Sequence, residues 1–501
     1  MPLFIRNLDN RINRRTLILS ISGALLAFVL GLVAGIWEVW VGLVIVGAVF
    51  SAILFLMFLN VPTWGLYAVL LFLPYEKVGS WELAGNTIRV SWIIGAVWLL
   101  SWFVYLIYNL KLRRKIGKWH SLWLAAFVFM AVSLLSLCWA VNLERGVIVW
   151  SVTLFTVLVG FVVYQTISDE KILRIALNVI FISTGIVVLF GIYQFIGDLI
   201  GLAPTWTGLS AEYTKSVFGF PRLQSVAAEP LYYANYLLIP FGIAGAMFLY
   251  RKQPMRAFWW GLFLLMMGGS ILLTLSRGGI VGAAAVVLVL IVLGWRKLLQ
   301  TRVIALILTM AILFGGVWWG LQAWKPETSR AVTRYLSQAV NYSEGPAVSE
   351  RLDTWTQAWE IFKEKPVFGI GPGNFGPYVS RQPWEAPGNG WLIVNNEPLE
   401  LLAETGIVGF GLVLIFIVGV LWAALRAAFR TGNQYYKAVL IGGIAALVGI
   451  IVQWQTFSIL FVMHIWVLLG LLLAVSYLTH KPNKYLQILW QRVWYSRVRK
   501  S

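Results

Sequence analysis

Apolar runs of about 20 residues recur along most of this chain, and they constrain its fold more than any other feature. A helix needs roughly 17–25 mostly apolar residues to cross a bilayer. Fourteen segments approach or meet this requirement: 16–36, 39–59, 61–75, 90–110, 121–141, 147–167, 174–197, 230–250, 257–275, 279–295, 303–323, 404–425, 437–454 and 456–478. They predict an all-α polytopic membrane protein with about 12–14 transmembrane helices.

Two places in this map are less regular than the rest. The segment 61–75, bounded by Pro62 and Pro74, is short enough to be re-entrant. The segments 437–454 and 456–478 are divided only by a minimal turn around Gln453–Thr456.

The composition excludes several soluble classes of protein. Of the 501 residues, 60% are hydrophobic and 12% are charged, whereas a soluble domain is nearer half apolar and a quarter charged. A soluble enzyme and a disordered chain are therefore excluded. The single cysteine, Cys138, lies in an apolar run and leaves no intrachain disulfide possible, which excludes a disulfide-rich secreted scaffold.

The net charge of +19 is unevenly distributed, and its distribution indicates orientation. Lys and Arg near span ends stay on the cytoplasmic side. With a cytoplasmic N-terminus, 26 of the 39 basic residues and three of the 20 acidic residues lie inside, which gives +23 inside and −4 outside. The inner basic residues lie in seven segments: 6–15, 111–118, 171–174, 251–256, 296–302, 426–437 and 481–500. This alternation, which requires 61–75 to cross, predicts cytoplasmic termini and gives no indication of nucleic-acid binding.

The spans and loops suggest three regions. Residues 1–197 are predicted to form N-terminal transmembrane helices, and 426–501 C-terminal transmembrane helices followed by a basic cytoplasmic tail. The central region, 198–425, carries two long outer loops at 198–229 and 324–403. Long ordered loops in a compact protein are usually functional, so the candidate site is expected on the outer side.

The second outer loop contains an amphipathic helix and a glycine-rich turn. In ERLDTWTQAWEIFKE (350–364), apolar side chains recur at helical spacing; they are Leu352, Trp355, Trp359 and Phe362. The helix either lies on the bilayer surface with its Trp side chains in the interface, or also directs Arg351 towards a substrate cavity. The following KPVFGIGPGNF (365–375) is either a tight turn or a bare backbone that passes close to a ligand phosphate or sugar.

Three further groups of polar residues lie beside predicted spans. Arg277, in TLSRGGIVG (274–282), either reaches the lipid headgroups or binds a lipid diphosphate, which suits its planar guanidinium. Arg222 and Glu229 precede a span whose first turns carry Tyr233 and Asn235. In NNEPLELLAETGIVGFG (395–411), the acidic side chains are explained equally well by the helix dipole and by catalysis; they are Glu397, Glu400 and Glu404.

Together these segments resemble the O-antigen ligase and polymerase superfamily of bacterial membrane glycosyltransferases. The resemblance covers about 200 residues, from Phe218 to Ile417, and is carried by four stretches in order: Arg222 to Asn235, Ser276–Gly279, Arg351–Phe375 and Asn395–Gly409. It implies transfer of a glycan from undecaprenyl diphosphate at the outer leaflet of the bacterial cytoplasmic membrane, with no metal and no cofactor. The implied acceptor is a lipid-A core in ligases, or another lipid-linked glycan in polymerases.

The resemblance also implies roles for individual residues. Arginines of the family bind the diphosphate leaving group; Arg277 and Arg351 match best and Arg222 more loosely. The remaining predicted catalytic residues are Glu229 and Asn395, and the predicted substrate-binding residues are Asn396, Glu397, Asn374, Tyr233 and Asn235.

One position departs from the family pattern. Ligases of the family carry a His–Asn pair whose His acts on the acceptor hydroxyl, and here the pair is Asn395–Asn396. Because Asn cannot take a proton near pH 7, the base would be Glu229, Glu397 or Glu400, of which we favour Glu229 for its closeness to Arg222. Of the three histidines, His464 lies within a predicted span, where pairing with a neighbouring helix is favoured over a proton relay.

Three functions remain open from the sequence. The first is a metal-independent glycosyltransferase for O-antigen or exopolysaccharide assembly, and the loss of the His favours a polymerase-like member. The second is a transporter, for example for bicarbonate, although every charged residue is predicted at a loop or span end rather than at mid-membrane. The third is an inactive scaffold.

Overall fold

The computed structural model describes residues 39–77, 80–83, 86–108, 121–215, 220–250, 254–297, 346–387 and 390–480, together with part of 300–320. The predicted span 16–36 lies outside these residues, as do most of 303–323 and the basic segments 6–15, 111–118 and 481–500. By their contacts, residues 1–118 and 119–501 form two compact units.

Within its described residues, the first unit contains three helices and a short hairpin. The helices are α1 (Val39–Asn60), α2 (Pro62–Phe72) and α3 (Val90–Tyr108), and strands β1 (Ser80–Leu83) and β2 (Asn86–Arg89) pair antiparallel with Ser80 opposite Arg89. The indole N–H of Trp98 donates to the Pro62 carbonyl at 2.9 Å and so ties α3 to the start of α2. The helix α2 has 11 residues and is shorter than the predicted segment 61–75.

The second unit is helical throughout its described elements. Its helices are α4 (Leu122–Ser136), α5 (Leu143–Thr166), α6 (Glu170–Ile200), α7 (Pro204–Thr207), α8 (Pro230–Tyr250), α9 (Pro254–Leu273), α10 (Arg277–Gly294), α11 (Pro346–Glu364), α12 (Phe375–Val379), α13 (Glu397–Arg430), α14 (Gln434–Gln453) and α15 (Met463–His480). Single turns of 3₁₀ helix occupy Leu137–Trp139, Ala211–Tyr213 and Trp295–Lys297.

The long helices confirm the predicted polytopic all-α fold. Among the described residues, nine helices are long and apolar enough to cross a membrane, and three further apolar helices correspond to α1, α2 and α9. One predicted boundary is wrong, because α15 begins at Met463 rather than near residue 456. Residues 454–462 form a nine-residue connector between α14 and α15, which we call the α14–α15 connector.

Two helices form the centre of the second unit. Of the 18-residue apolar stretch of each helix, 89% is buried inside the protein in α8 and 83% in α15. The buried share is only 33% in α10 and in α13. Close packing in this centre depends on small residues, as is typical of membrane helices. A Cβ added at Gly242 on α8 would lie 2.5 Å from the Gly442 carbonyl oxygen on α14, so these two backbones touch directly.

The helix α11 confirms the predicted helix at 350–364, but a different face of it is buried. Its small and branched side chains pack into a cluster with Ile370, Phe375, Val394 and Ala403; they are Ala358 and Ile361, with Trp355 at the edge. Leu352 and Trp359 are 53% and 46% exposed. The apolar stripe is therefore divided between a protein contact and an exposed surface.

Candidate active site

Unusual backbone conformations mark three of the four predicted motifs. Among the described residues, the non-glycine residues with positive φ are Ser225 (56°), Leu275 (52°) and Asn395 (56°). Such conformations cost of order 1–3 kcal/mol each and cluster at functional sites, where the surroundings hold them in place. Ser225 lies between Arg222 and Glu229, and Leu275 lies two residues before Arg277. This clustering supports the motifs as parts of a site.

The first two motifs lie side by side. The backbone N–H of Leu223 donates to the Leu273 carbonyl at 3.0 Å, and the Nε of Arg222 donates to the Thr274 carbonyl at 3.2 Å. Arg222 is thereby fixed against the turn that leads to Arg277. The segments that carry these two arginines, which are 55 positions apart in the sequence, therefore adjoin near the starts of α8 and α10.

Glu229 belongs to the same neighbourhood as Arg222. The guanidinium of Arg222 lies 5.6 Å from the ring centre of Tyr213. Burial, followed by the negative charges of Glu229 and Glu212, raises the pKa of Tyr213 above its ordinary value, while Arg222 opposes the shift. Since one tyrosine interacts with both groups, the Glu229 carboxyl and the Arg222 guanidinium share one local electrostatic environment. Glu229 itself is exposed.

The turn before α10 fixes Arg277 at the first position of a helix. Ser276 caps the helix, and its Oγ accepts from the Gly279 N–H at 3.2 Å. Neither following glycine has room for a side chain: a Cβ at Gly279 would lie 2.5 Å from the Ala234 Cβ, and one at Gly278 would collide with the Thr456 Oγ1. The two glycines are thus required by close packing against α8 and the α14–α15 connector.

The third and fourth motifs also meet. The hydroxyl of Thr354, one turn after Arg351 on α11, donates to the Val394 carbonyl at 3.1 Å, and Val394 directly precedes Asn395. Asn396 caps α13 by accepting from the Leu399 N–H at 3.1 Å. Arg351 and Asn395 therefore lie on adjoining segments.

The α14–α15 connector joins these two halves. The Glu397 N–H donates to the Trp454 carbonyl at 2.9 Å, and the Glu397 Oε2 accepts from the N–H groups of Ile459 and Leu460. Thr456, in the same connector, packs against Gly278. The segments that bear Arg277 and Asn395 thus share one support, which the sequence indicated only as a minimal turn.

The glycine-rich turn is a tight turn whose amides are already bonded. Both carboxyl oxygens of Glu404 accept from its backbone, at 2.7 Å from the Gly373 N–H and at 3.0 Å from the Phe375 N–H. The Gly371 N–H donates to the Glu404 carbonyl at 2.8 Å. A backbone whose N–H groups are occupied by an internal carboxyl is not a phosphate cradle, so the structure favours the tight-turn interpretation.

Asn374 lies inside this turn with its side chain fully buried. Its Oδ1 accepts from the Asn142 N–H at 2.8 Å, and its Nδ2 donates to the Pro372 carbonyl at 3.1 Å. These contacts connect the turn to the start of α5, which makes Asn374 a structural residue in this geometry. Its substrate-binding role stays a prediction.

One residue of this region escaped the sequence analysis. Arg145, in the first turn of α5, donates through Nε to the Gly373 carbonyl at 2.7 Å, and its guanidinium lies 5.7 Å from the ring centre of Trp391. It also interacts electrostatically with Glu404 and Glu400. The available signal was a cation at the predicted outer end of an apolar helix, but its partner lies 228 positions away.

Tyr233 and Asn235 are buried within the helix bundle. The Tyr233 hydroxyl donates to the Val187 carbonyl at 3.4 Å. Asn235 bonds to Gln453 on α14 and to His464 on α15, so His464 pairs with a neighbouring helix as expected. Both predicted substrate-binding residues therefore contact other helices in this structure.

A small cavity of about 50 Å³ lies along the first turns of α13. Its lining includes three carboxyl groups and several hydroxyl groups, namely Glu397, Glu400, Glu404, Ser133, Thr153, Thr405 and Ser458. The Glu400 Oε2 accepts from the Val394 N–H at 3.0 Å, so each glutamate bonds to a loop backbone. Within the described residues, no group of three or more His, Cys, Asp or Glu side chains is arranged to hold a metal ion.

Comparison with known families connects part of this site to a described family. Residues 262–414 match the family model described as O-antigen ligase, which confirms the resemblance seen in the motifs. The matched segment contains Arg277, Arg351 and Asn395, whereas Arg222 precedes it and the α14–α15 connector follows it. No curated protein matches the chain.

Proposed function

We propose that this chain, whose residues 262–414 match the O-antigen ligase family model, belongs to the O-antigen ligase/polymerase superfamily and transfers an oligosaccharide from undecaprenyl diphosphate to an acceptor glycan. The superfamily ligates or polymerises lipid-linked glycans in a membrane. The proposed reaction takes place at the outer leaflet of the bacterial cytoplasmic membrane, in O-antigen or exopolysaccharide assembly. The acceptor is the end of another lipid-linked glycan or a lipid-A core.

The pairing of the Arg222 and Arg277 segments carries this proposal. The hydrogen bond from Arg222 to the Thr274 carbonyl places two guanidinium-bearing segments at one end of the bundle. A diphosphate that leaves a sugar develops negative charge, and fixed guanidinium groups stabilise such charge in a site that excludes water. Arg351 is proposed to complete the set from the adjoining half.

The proposed chemistry needs a proton acceptor but no metal. The acceptor hydroxyl oxygen forms a bond to the anomeric carbon, while the bond from that carbon to the diphosphate oxygen breaks. Undecaprenyl diphosphate leaves with the electron pair, and the hydroxyl proton passes to a carboxylate. We favour Glu229 as this base, because it is exposed and shares the electrostatic environment of Arg222, whereas Glu397 is buried.

Asn395 is proposed to orient the acceptor rather than to take its proton. Its amide can donate to and accept from a sugar hydroxyl. Its positive φ holds the side chain at the start of α13, beside the segment that bears Arg351. The outer-face location is supported by the predicted charge distribution, in which these residues fall on the side of net charge −4.

Reconstituted protein tests this function directly. Proteoliposomes supplied with an undecaprenyl-linked oligosaccharide are expected to yield lengthened or transferred glycan in the presence of EDTA. Arg277→Ala and Arg351→Ala should each lower the rate about 100-fold or more, the cost of removing one transition-state donor. The matched control is Arg381→Ala, an exposed arginine of the same outer loop, which should retain the wild-type rate.

Two outcomes would count against the proposal. Wild-type protein that forms no product with either acceptor class would refute the glycosyltransferase assignment, and uptake of labelled bicarbonate by the same vesicles would then favour a transporter. A full rate in folded Arg277→Ala protein would remove Arg277 from the site.

A further inference from the structure

We propose that a buried chain of three polar side chains, Asn235, Gln453 and His464, positions Arg277 for the transfer reaction. This chain is called the amide–imidazole chain below. It joins α8, α14 and α15, and it lies outside the segment that matches the O-antigen ligase family. The expected effect on the transfer rate rests on the proposed function, whereas the expected effect on the position of Arg277 does not.

The direction of every hydrogen bond in the chain follows from its last acceptor. The Gln453 Nε2 donates to the Leu231 carbonyl at 3.4 Å, and a carbonyl can only accept. The Gln453 Oε1 therefore faces Asn235 and accepts from its Nδ2 at 2.9 Å. The Asn235 Oδ1 must then accept from the His464 Nε2 at 2.6 Å.

This direction assigns a fixed role to His464. Its Nε2 carries a proton and donates it to a hydrogen bond in the resting protein. Such a nitrogen cannot also take a proton from a substrate, and the side chain is 1% exposed, so a substrate hydroxyl does not reach the other ring nitrogen, Nδ1. His464 therefore does not replace the histidine that the Asn395 position lacks. It acts as a donor that holds Asn235.

The amide–imidazole chain packs beside the two glycines that follow Arg277. A Cβ added at Gly278 would lie 3.3 Å from the Gln453 Cγ. Gly279 packs against Ala234, which directly precedes Asn235. The Gln453 carbonyl also accepts from the Thr456 N–H at 2.9 Å and from its Oγ1 at 3.0 Å. Gln453 thus holds both the α10 start and the residue that packs on it.

The burial of the amide–imidazole chain gives its polar side chains a structural role. Asn235 and Gln453 are fully buried, so the loss of a hydrogen-bond partner from either leaves a buried polar group unsatisfied, which is destabilising. Apolar side chains of similar size would fill this space without that risk. Polar groups in such a place favour one arrangement of the three helices over others, and that arrangement sets the position of Arg277.

Two substitutions and one rescue test the proposal. Gln453→Met keeps the length of the side chain and removes its amide, and His464→Leu removes the donor. His464→Gln restores an N–H donor at a similar reach. The matched control is Ser476→Ala on α15, a buried serine whose hydroxyl donates only to the Leu472 carbonyl of its own helix at 2.7 Å in the described structure.

Hydrogen exchange reads out the position of Arg277 independently of activity. In Gln453→Met and His464→Leu proteins, amides 277–282 are expected to exchange at least about tenfold faster, while His464→Gln and Ser476→Ala match the wild type. Unchanged exchange in folded Gln453→Met protein would overturn the proposal. Faster exchange that spreads equally through 465–475 would also overturn it, because that pattern marks general loosening of the bundle.

Kinetics then separates this proposal from the proposed function. Gln453→Met should lower kcat about 10- to 100-fold at a nearly unchanged donor KM, and His464→Gln should recover most of the rate lost in His464→Leu. If wild-type protein transfers no glycan, the proposed function fails while the exchange data still decide the positioning role. If the wild type is active and Gln453→Met leaves kcat unchanged, the positioning role is wrong and the proposed function stands.

Discussion

The carboxyl group of Glu404 offers a sharp test of how the glycine-rich turn is held. Its two oxygens accept from the Gly373 and Phe375 N–H groups, and its side chain is buried. In Glu404→Gln, one oxygen remains and the other becomes an NH₂ group that cannot accept. One hydrogen bond is kept, and the other backbone N–H then faces a donor.

The expected cost follows from these two changes. A hydrogen bond contributes about 0.5–1.5 kcal/mol, and a buried N–H left unsatisfied costs about 1–3 kcal/mol. Because the two figures describe overlapping losses, we expect the turn to be destabilised by about 3 kcal/mol. With 1.4 kcal/mol for each tenfold change, the amides of Gly373 and Phe375 should exchange about 100-fold faster.

Hydrogen exchange of the detergent-solubilised protein measures this effect locally. The matched control is Glu360→Gln, which breaks an exposed pair with Lys363 at 2.7 Å and should change stability by less than about 0.5 kcal/mol. If the Gly373 and Phe375 amides in Glu404→Gln exchange at the wild-type rate, Glu404 does not hold the turn. The glycine-rich backbone would then again be a candidate for binding a phosphate.

Two further predictions concern the residues beside the arginines. Gly278→Ala should displace the start of α10 and lower the transfer rate at least tenfold, because its Cβ collides with Thr456. The control Gly432→Ala, whose Cβ meets nothing within 4 Å, should keep the wild-type rate. Equal rates in the two variants would contradict the packing argument. Asn395→Ala should lower stability by about 1–2 kcal/mol because of its positive φ, whereas Asn395→Gly should keep the fold and lose transfer. Denaturant unfolding and the glycan assay measure both effects, and a stable Asn395→Ala protein would refute the strain argument.

The spans could be predicted because the bilayer imposes a length and a composition on each of them. The same apolar signal hid the α14–α15 connector: residues 457–462, FSILFV, are apolar except for Ser458, and a largely apolar run does not distinguish a helix from a buried loop. The hairpin at β1 and β2 lies in the short loop between the predicted spans 61–75 and 90–110 and has a turn signal in Gly85–Asn86. On α11, the face that meets protein carries Ala358 and Ile361, which the larger aromatic side chains of the same helix did not indicate.

In the candidate site, residues in short local motifs could be proposed from the sequence, whereas residues that act through distant contacts could not. The arginines could be proposed from the sequence because each stands in a short local motif. The functions of Glu404 and Arg145 could not, because each depends on a loop 29 or more positions away in the sequence. Gln453 and His464 are isolated polar residues in apolar segments of the sequence, so their hydrogen bonds to Asn235 could not be predicted.

The α14–α15 connector has a consequence for the size of the smallest independent unit. A fragment cut at the limits of the matched segment, 262–414, would contain Glu397 but would lack the Trp454 carbonyl and the Ile459 and Leu460 amides that Glu397 uses. It would also lose Arg222 from the partner turn. Exchange of specificity between relatives by grafting should therefore move 222–464 as one block, because the recognisable sequence signature is smaller than the piece of protein that keeps its shape.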